Sequence, residues 1–105
     1  MWRFDKNWKA QRSETPWVRR PPSSYILDHF FSTTDPLEAA DARDIQRILD
    51  IIQAGRTLLY SSNYPNWEFG DPFEMVRDIP EALRRRVMVE NALAGYGERL
   101  LRPNT

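Results

Sequence analysis

A run of aliphatic residues in the middle of the chain has the spacing of a helix. Four of them recur at i, i+3, i+4 and i+7, the pattern of one apolar helix face: Ile45, Ile48, Leu49 and Ile52. Asp41 is a suitable N-cap for this helix, and Gly55 is a suitable residue for its C-terminal stop. The pattern therefore predicts an amphipathic helix that begins after Asp41 and ends at Gly55.

Two short segments on either side of this helix have the composition of β-strands. Residues 29–34 (His-Phe-Phe-Ser-Thr-Thr) are aromatic and β-branched, and the Asp-Pro pair at residues 35–36 ends them. Residues 57–61 (Thr-Leu-Leu-Tyr-Ser) are apolar in their centre, as expected for a strand covered on both faces. A polar and aromatic loop, residues 62–72, follows the second strand.

Further helix signals lie nearer the two ends of the chain. Residues 3–13 contain neither Gly nor Pro and favour a helix, and Ser23 or Ser24 is expected at the cap of the next one. Asp71 and the proline after it have the residue types of an N-cap and a first helical position. The apolar stripe predicted for that helix is Phe73, Val76 and Ile79. Another helical segment is predicted over residues 80–95.

The order strand, helix, strand, helix predicts an α/β fold. A βαβα order implies two parallel strands joined by a right-handed crossover, with helices covering them. Two parallel strands do not form a sheet that stands alone, because both edges leave backbone groups unpaired. We therefore expect a piece of a larger assembly, with residues 1–21 as an N-terminal arm, residues 22–100 as the α/β portion and residues 101–105 as a frayed tail.

Composition narrows the class of protein. Fifteen basic residues balance fifteen acidic ones, so no bulk charge favours binding to nucleic acid or anionic lipid. The absence of cysteine excludes a disulfide scaffold and a thiolate metal site. Apolar runs such as residues 25–27 are too short to span a bilayer, and the N-terminus lacks the apolar segment of a secretory signal. A soluble, cytoplasmic protein is expected.

Several motifs, taken in order along the chain, resemble one known family. They lie at residues 2–9, 16–18, 22–25 and 33–38, in the loop after the second strand, and at residues 90–92. By these motifs residues 2–100 are similar to the C-terminal third of an amidohydrolase-related (β/α)8 barrel, of the type that includes metal-dependent decarboxylases of aromatic and unsaturated acids. The resemblance implies that the two strands are the seventh and eighth of a TIM barrel, which 105 residues are too few to close.

The resemblance also implies an activity. It is metal-dependent hydrolysis or non-oxidative decarboxylation of a small carboxylic acid or related substrate, with zinc or a similar divalent cation in the complete barrel. The metal ligands of the family come from a His-x-His on the first strand and from later histidines, all upstream of this chain. His29, the only histidine here, cannot form a metal site without several partners.

The loop after the second strand departs from the family pattern. The family has Ser-Asp-Tyr-Pro-His-Trp there, and its Asp acts at the metal, whereas residues 62–67 of this chain read Ser-Asn-Tyr-Pro-Asn-Trp. Asn63 stands at the Asp position and Asn66 at the His position. At neutral pH an amide neither accepts a proton nor neutralises a cation. Asn63 is therefore interpreted as a non-functional catalytic position, and the alternative is a substrate-binding amide in a site completed by other chains. Asn66 and Trp67 are candidate substrate-binding residues, although a packed loop aromatic is the simpler role for Trp67.

Three accounts of the function stay open. In the first, the chain is the C-terminal part of an enzyme and is inactive until another chain supplies the rest of the barrel. In the second, it is a non-catalytic partner of a full-length homologue. The third rests on residues 1–21, which hold six basic residues, two acidic ones and three of the four tryptophans, a mixture typical of nucleic-acid or membrane surfaces. The resemblance instead implies that these tryptophans pack against a barrel or a subunit, so neither nucleic acid nor membrane is predicted as a partner.

Overall fold

The computed structural model describes residues 1–35, 37, 41–66 and 71–103, and for Met75 the backbone alone. Its elements in chain order are α1 (Trp2–Ala10), α2 (Pro22–His29), β1 (Ser32–Thr33), α3 (Ala42–Ile51), α4 (Ala54–Thr57), β2 (Leu58–Leu59), α5 (Pro72–Arg77), α6 (Glu81–Arg85), a π-helical turn (Arg86–Glu90), α7 (Asn91–Tyr96) and a 3-10 turn (Glu98–Leu101). They form two compact units, which we call unit 1 (residues 1–30) and unit 2 (residues 31–105).

Unit 1 consists of α1 and α2, joined by hydrogen bonds from side chains. Asp5 on α1 accepts the backbone N–H of Ser23 at 2.8 Å and the Ser23 hydroxyl at 2.7 Å. Trp8 donates its indole N–H to the backbone oxygen of Val18 at 3.2 Å. None of residues 1–30 is fully buried, so these polar contacts are a large part of what holds the unit together.

The sequence predicted where α2 begins but not which residue caps it. Pro21 is the N-cap, Pro22 is the first helical residue, and Ser23 and Ser24 lie inside the first turn. The cap comes instead from α1, because the Asp5 carboxylate accepts a backbone N–H that the start of α2 leaves without a helical partner. Helix α2 packs with α1, and the compact unit that contains both helices ends at residue 30.

The first strand is shorter than the predicted span of residues 29–34. The N–H of Phe30 donates to the Ile26 oxygen at 2.9 Å, so the helical bonding of α2 continues through His29. Only Ser32 and Thr33 pair as a strand. The second strand is likewise Leu58–Leu59, because Thr57 belongs to α4.

Unit 2 contains a two-stranded parallel sheet, which confirms the predicted α/β class and the parallel pairing. Ser32 lies opposite Leu58, and Thr33 lies opposite Leu59. The helices pack around β2, and the buried core is formed by Leu49, Ala54, Leu58, Ile79 and Val87. Burial of β2 agrees with its apolar centre, whereas Ser32 and Thr33 of β1 are exposed.

Helix α3 has the predicted cap and the predicted face but a different end. Asp41 accepts the N–H groups of Arg43 and Asp44 at 2.8 and 3.0 Å, and Leu49 is buried. The helix ends at Ile51, and the chain reverses at Gln53, whose φ is 52°. Gly55 is therefore not the stop.

Gly55 lies in α4 and has a packing role. A Cβ added at this residue would lie 3.3 Å from Cδ2 of Leu83, so the glycine allows α6 to approach closely. The contact explains a glycine at this position without any need for a left-handed backbone.

The helices of the C-terminal half follow the prediction except at one apolar residue and one turn. Asp71 accepts the N–H of Phe73 at 2.8 Å and caps α5 as predicted. Ile79 is buried, but the Phe73 side chain is 82% exposed, so its predicted place in the apolar stripe is wrong. The segment predicted over residues 80–95 is helical but contains the π-helical turn, and it ends at Tyr96 before Gly97.

The predicted frayed tail starts inside the 3-10 turn, whose last residue is Leu101. Asn104 and Thr105 lie outside the described residues, as do Trp67 and the three residues after it. Within the described part of the chain, no helix combines the length and the apolar character that crossing a membrane requires.

Candidate functional site

The carboxyl ends of β1 and β2 are joined by one buried side chain. Thr34, which follows β1, is 1% exposed, and its backbone N–H donates to the Leu59 oxygen at 2.9 Å. Its hydroxyl accepts the N–H of Ser61 at 3.0 Å and donates to the Ser61 oxygen at 3.2 Å. The hydroxyl therefore continues the pairing beyond the two strands and fixes the start of both following loops on one edge.

Asn63 lies in the loop at this edge. Its side chain is exposed, and its φ of 57° is in the left-handed region, which asparagine tolerates better than most residues. The N–H of Asn66 donates to the Asn63 oxygen at 2.8 Å, and this bond closes a turn. Asn63 and Asn66 are therefore brought together at the edge where the resemblance expects the active site, and Trp67 falls outside the described residues.

Among the residues that the structure describes, the polar groups at this edge are hydroxyls and amides together with one carboxylate, that of Asp35. Asp35 follows Thr34 and is half-buried, and its backbone oxygen accepts the Thr33 hydroxyl at 3.2 Å. Hydroxyl and amide N–H groups can donate hydrogen bonds to an anionic ligand such as a carboxylate. Neither Asn63 nor Asn66 can transfer a proton at neutral pH, so these two side chains can orient a ligand rather than carry out acid–base chemistry.

The hydroxyl and amide side chains described at this edge do not fit the divalent metal that the resemblance implies. Zinc sites in proteins are built from three or four imidazole, thiolate or carboxylate ligands. Among the described residues no three histidine or acidic side chains come together in this way. His29 is exposed in the last turn of α2. No chemical step through a metal is therefore derived for this chain.

Three of the six lysine and arginine side chains of unit 1 lie over aromatic rings of the same unit. Lys6 lies over the Trp2 ring, 5.3 Å from its centroid, and Arg12 lies over the Trp8 ring at 4.7 Å. Arg20 lies over Tyr25 at 4.4 Å and bonds Asp28 at 2.6 Å, and this carboxylate raises the pKa of Arg20. One face of each of these rings is thus occupied by a cation of the same unit, which leaves less aromatic surface for stacking with bases.

Sequence reasoning missed two buried polar residues that organise unit 2. Thr34 belongs to the predicted first strand and to the motif at residues 33–38, but neither indicates that its hydroxyl joins the two strands. Asn91 belongs to a predicted helix and to the motif at residues 90–92, yet neither indicates that it is 5% exposed and donates its side-chain N–H groups to the Ala54 and Leu58 oxygens at 3.2 and 2.8 Å. These hydrogen bonds have no local signal in the sequence, because the partners of Asn91 are more than thirty residues away.

No protein-family model matches this chain, and a search of curated proteins finds no match either. The amidohydrolase resemblance thus stands on the motifs of the sequence alone.

Proposed function

We propose that this chain is the C-terminal portion or subunit of an amidohydrolase-like metal-dependent hydrolase or decarboxylase that acts on a small carboxylic acid. In this proposal it supplies the last two strands of a barrel and is inactive alone. The remaining strands, together with the metal ligands, belong to a partner chain or to a homologous subunit.

The observation that carries the proposal is the joined edge of the parallel pair. In (β/α)8 enzymes the active site forms at the carboxyl ends of the strands, from the loops that follow them. Here the Thr34 hydroxyl bonds both backbone groups of Ser61, so the loops after β1 and β2 begin side by side. This arrangement supports a site at the same edge as the Asn63 turn.

The proposed roles follow from the chemistry of each side chain. Asn63 stands where the family has an acid and takes no part in proton transfer, because its amide has no suitable pKa. Asn66 donates its amide N–H to the substrate, and Trp67 forms part of the substrate-binding wall. The metal ligands are supplied by the partner, since the described residues at this edge provide one carboxylate and no imidazole.

The experiment is purification of the tagged chain from its own cells, followed by sizing chromatography with light scattering and mass spectrometry. We expect a defined complex with a chain that carries the His-x-His segment of the barrel. Metal analysis and turnover of carboxylic acids should then be positive for the complex and negative for the isolated chain. A lone monomer, or an isolated chain that binds stoichiometric metal and turns over substrate, would contradict the proposal.

The second candidate is a non-catalytic partner subunit of a full-length homologue. It is favoured by one observation, which is that the neutral Asn63 replaces an acid in an exposed turn. The two candidates differ in the effect of Asn63→Asp on the complex. A changed rate supports a chain that contributes to the active site, and an unchanged rate supports a subunit that only assembles with the enzyme.

A further inference from the structure

Unit 1 has an open apolar groove on its surface, which we call the unit 1 groove. It has a volume of about 570 Å³, and six side chains line it: Phe4, Val18, Pro22, Tyr25, Ile26 and Phe30. Phe4 and Phe30 are 60% and 65% exposed, whereas the other four are half-buried. The structure describes every residue of unit 1, so the lining is complete within this unit.

The size and the exposed walls of the unit 1 groove suit a row of side chains better than one small molecule. Sites for small molecules enclose most of the surface of the ligand, but Phe4 and Phe30 leave this groove open to solvent. A benzene-sized apolar group occupies a cavity of about 150 Å³, so the groove has room for about three or four such groups. An amphipathic helix that binds in a groove presents apolar anchors at i, i+3, i+4 and i+7. The groove therefore fits one face of a helix.

The charge of unit 1 indicates an acidic partner. Residues 1–30 contain six Lys and Arg and three Asp and Glu, which gives a net charge of +3. Two of the three carboxylates already have partners within the unit. Asp5 accepts two hydrogen bonds from Ser23, and Asp28 bonds Arg20 at 2.6 Å. Unit 1 therefore has more cations than its own carboxylates can neutralise.

Two exposed arginines adjoin the lining of the unit 1 groove. Arg3 precedes Phe4 in α1, and Arg19 follows Val18. Neither arginine forms an ion pair with a carboxylate among the described residues. The planar guanidinium group binds carboxylates through two parallel hydrogen bonds. Arg3 and Arg19 are therefore available to carboxylates of a partner that lies in the groove.

Other occupants agree less well with these observations. The same face of a second copy would place a second charge of +3 against the first, which is unfavourable. Nucleic acid would neutralise the arginines through its phosphates but would leave the apolar lining unpaired. A lipid surface would contact the exposed Phe4 and Phe30, but it does not project a row of side chains to the half-buried Tyr25 and Ile26.

We propose that the unit 1 groove binds an acidic amphipathic helix of a partner protein. The apolar row of that helix packs on the lining of the groove, and its carboxylates pair with Arg3 and Arg19. The volume, the apolar lining and the charge are all properties of unit 1. The inference therefore does not depend on the proposed enzymatic role, and each can fail without the other.

The test uses the full-length chain and a labelled synthetic helix of about 18 residues, which is long enough to be helical in water. This acidic peptide has Leu at i, i+3, i+4 and i+7 and Glu on both sides of that row. We expect it to bind and to shift the amide NMR signals of Val18, Tyr25 and Ile26. Replacing its Leu residues with Ala should weaken binding at least about 100-fold, and replacing its Glu residues with Lys should weaken binding about tenfold. No binding of the acidic peptide, or equal affinities of the three peptides, would overturn the proposal.

Charge reversal tests whether the peptide carboxylates lie at the two arginines. Arg3→Glu and Arg19→Glu, each made alone, should weaken the acidic peptide about fivefold and strengthen the peptide with Lys by a similar factor. Both residues are exposed, so neither change removes packing within the unit. The matched control is Arg43→Glu at an exposed residue of α3, which changes the net charge equally and should leave both affinities unchanged. An equal effect of Arg43→Glu would overturn the assignment of the groove.

The other occupants are tested with the same unmodified chain. Vesicles of phosphatidylcholine with about 30% phosphatidylserine, which present an anionic lipid surface, should not displace the acidic peptide. Light scattering of the chain alone should show no dimer that the acidic peptide dissociates. Displacement by the vesicles would assign the groove to a lipid surface, and a dimer dissociated by the peptide would assign it to a second copy. Either result would overturn the proposal.

Discussion

Thr34 shows how much one side chain contributes to the carboxyl edge of the sheet. Thr34 is 1% exposed, and its hydroxyl bonds both the N–H and the oxygen of the half-buried Ser61. Thr34→Val keeps the shape but removes the partner of both Ser61 backbone groups, which should reduce the free energy of unfolding by about 1–3 kcal/mol. Chemical denaturation measures this loss, and amide exchange at Ser61 should be faster in the same variant.

Thr34→Ser is the control, because it retains the hydroxyl and removes only a methyl group. We expect Ser61 exchange in Thr34→Ser to stay close to that of the unmodified chain. If valine and serine changed Ser61 exchange equally, the hydroxyl would not be what joins the two strands.

Asp5 should make unit 1 sensitive to acid. The hydroxyl and backbone N–H of Ser23 bond its carboxylate, and these bonds lower the pKa of Asp5 from its ordinary value of 3.8. A group whose pKa is lower in the folded state stabilises that state above its unfolded pKa, and the effect is lost as the pH falls through the folded pKa. The contact between α1 and α2 should therefore be constant above about pH 5 and weaken progressively below pH 3.8.

The measurement is a carboxyl carbon NMR titration of Asp5. Its midpoint should lie below that of an unstructured aspartate, and Ser23→Ala should move it upward because both the hydroxyl bond and the local geometry are lost. Glu14→Gln, at an exposed site in the same unit, should leave the midpoint unchanged. A midpoint that did not respond to Ser23→Ala would show that Ser23 does not set the Asp5 pKa.

At the scale of elements, α3 provides a direct comparison between a buried and an exposed position of one helix. Leu49 is 1% exposed in the core, whereas Ile51 is 63% exposed. Leu49→Ala should destabilise the protein by about 2–5 kcal/mol through lost burial and a residual cavity. Ile51→Ala should cost about 0.5 kcal/mol or less. Chemical denaturation of the two variants in parallel tests which face of α3 is buried. Similar losses in the free energy of unfolding would show that the buried face is wrongly assigned.

The elements also show which parts of the fold can be read from sequence. Asp41 and the α3 face were predictable, because a cap and an apolar stripe are signals within one turn or two of the same helix. Gly55 was misread because a glycine that permits close packing looks the same in sequence as a glycine that ends a helix. The π-helical turn could not be predicted from local sequence. Its Val87 oxygen accepts the N–H of Tyr60, which lies far away in the chain.

Near the candidate site, the location of Asn63 was predictable from sequence, whereas the hydrogen bonds that organise the surrounding edges were not. Asn63 could be located from the motif after the second strand, and it lies in the turn that follows β2. The two residues that shape the surrounding edges, Thr34 and Asn91, act through partners 27 and 33 or more residues away. Such long-range hydrogen bonds leave no local pattern, so composition and periodicity pass over them.

For the whole molecule, the distribution of buried residues predicts that the two units differ in stability. Among the residues that the structure describes, the buried apolar ones all lie in unit 2: Leu49, Ala54, Leu58, Leu59, Ile79 and Val87. Residues 1–30 include no fully buried side chain, and α1 and α2 rely on contacts such as those of Asp5 and Trp8. Since local stability follows buried apolar contact, unit 1 should open at a lower denaturant concentration than unit 2.

Tryptophan fluorescence can separate the two transitions, because three of the four tryptophans are in unit 1. In a Trp67→Phe variant, fluorescence reports on unit 1 alone, while amide exchange at Leu58 and Val87 reports on the core of unit 2. We expect the fluorescence transition to come first, with Leu58 and Val87 still protected at its midpoint. Coincident transitions would mean that the chain unfolds as one cooperative body, because probes of a two-state protein must agree.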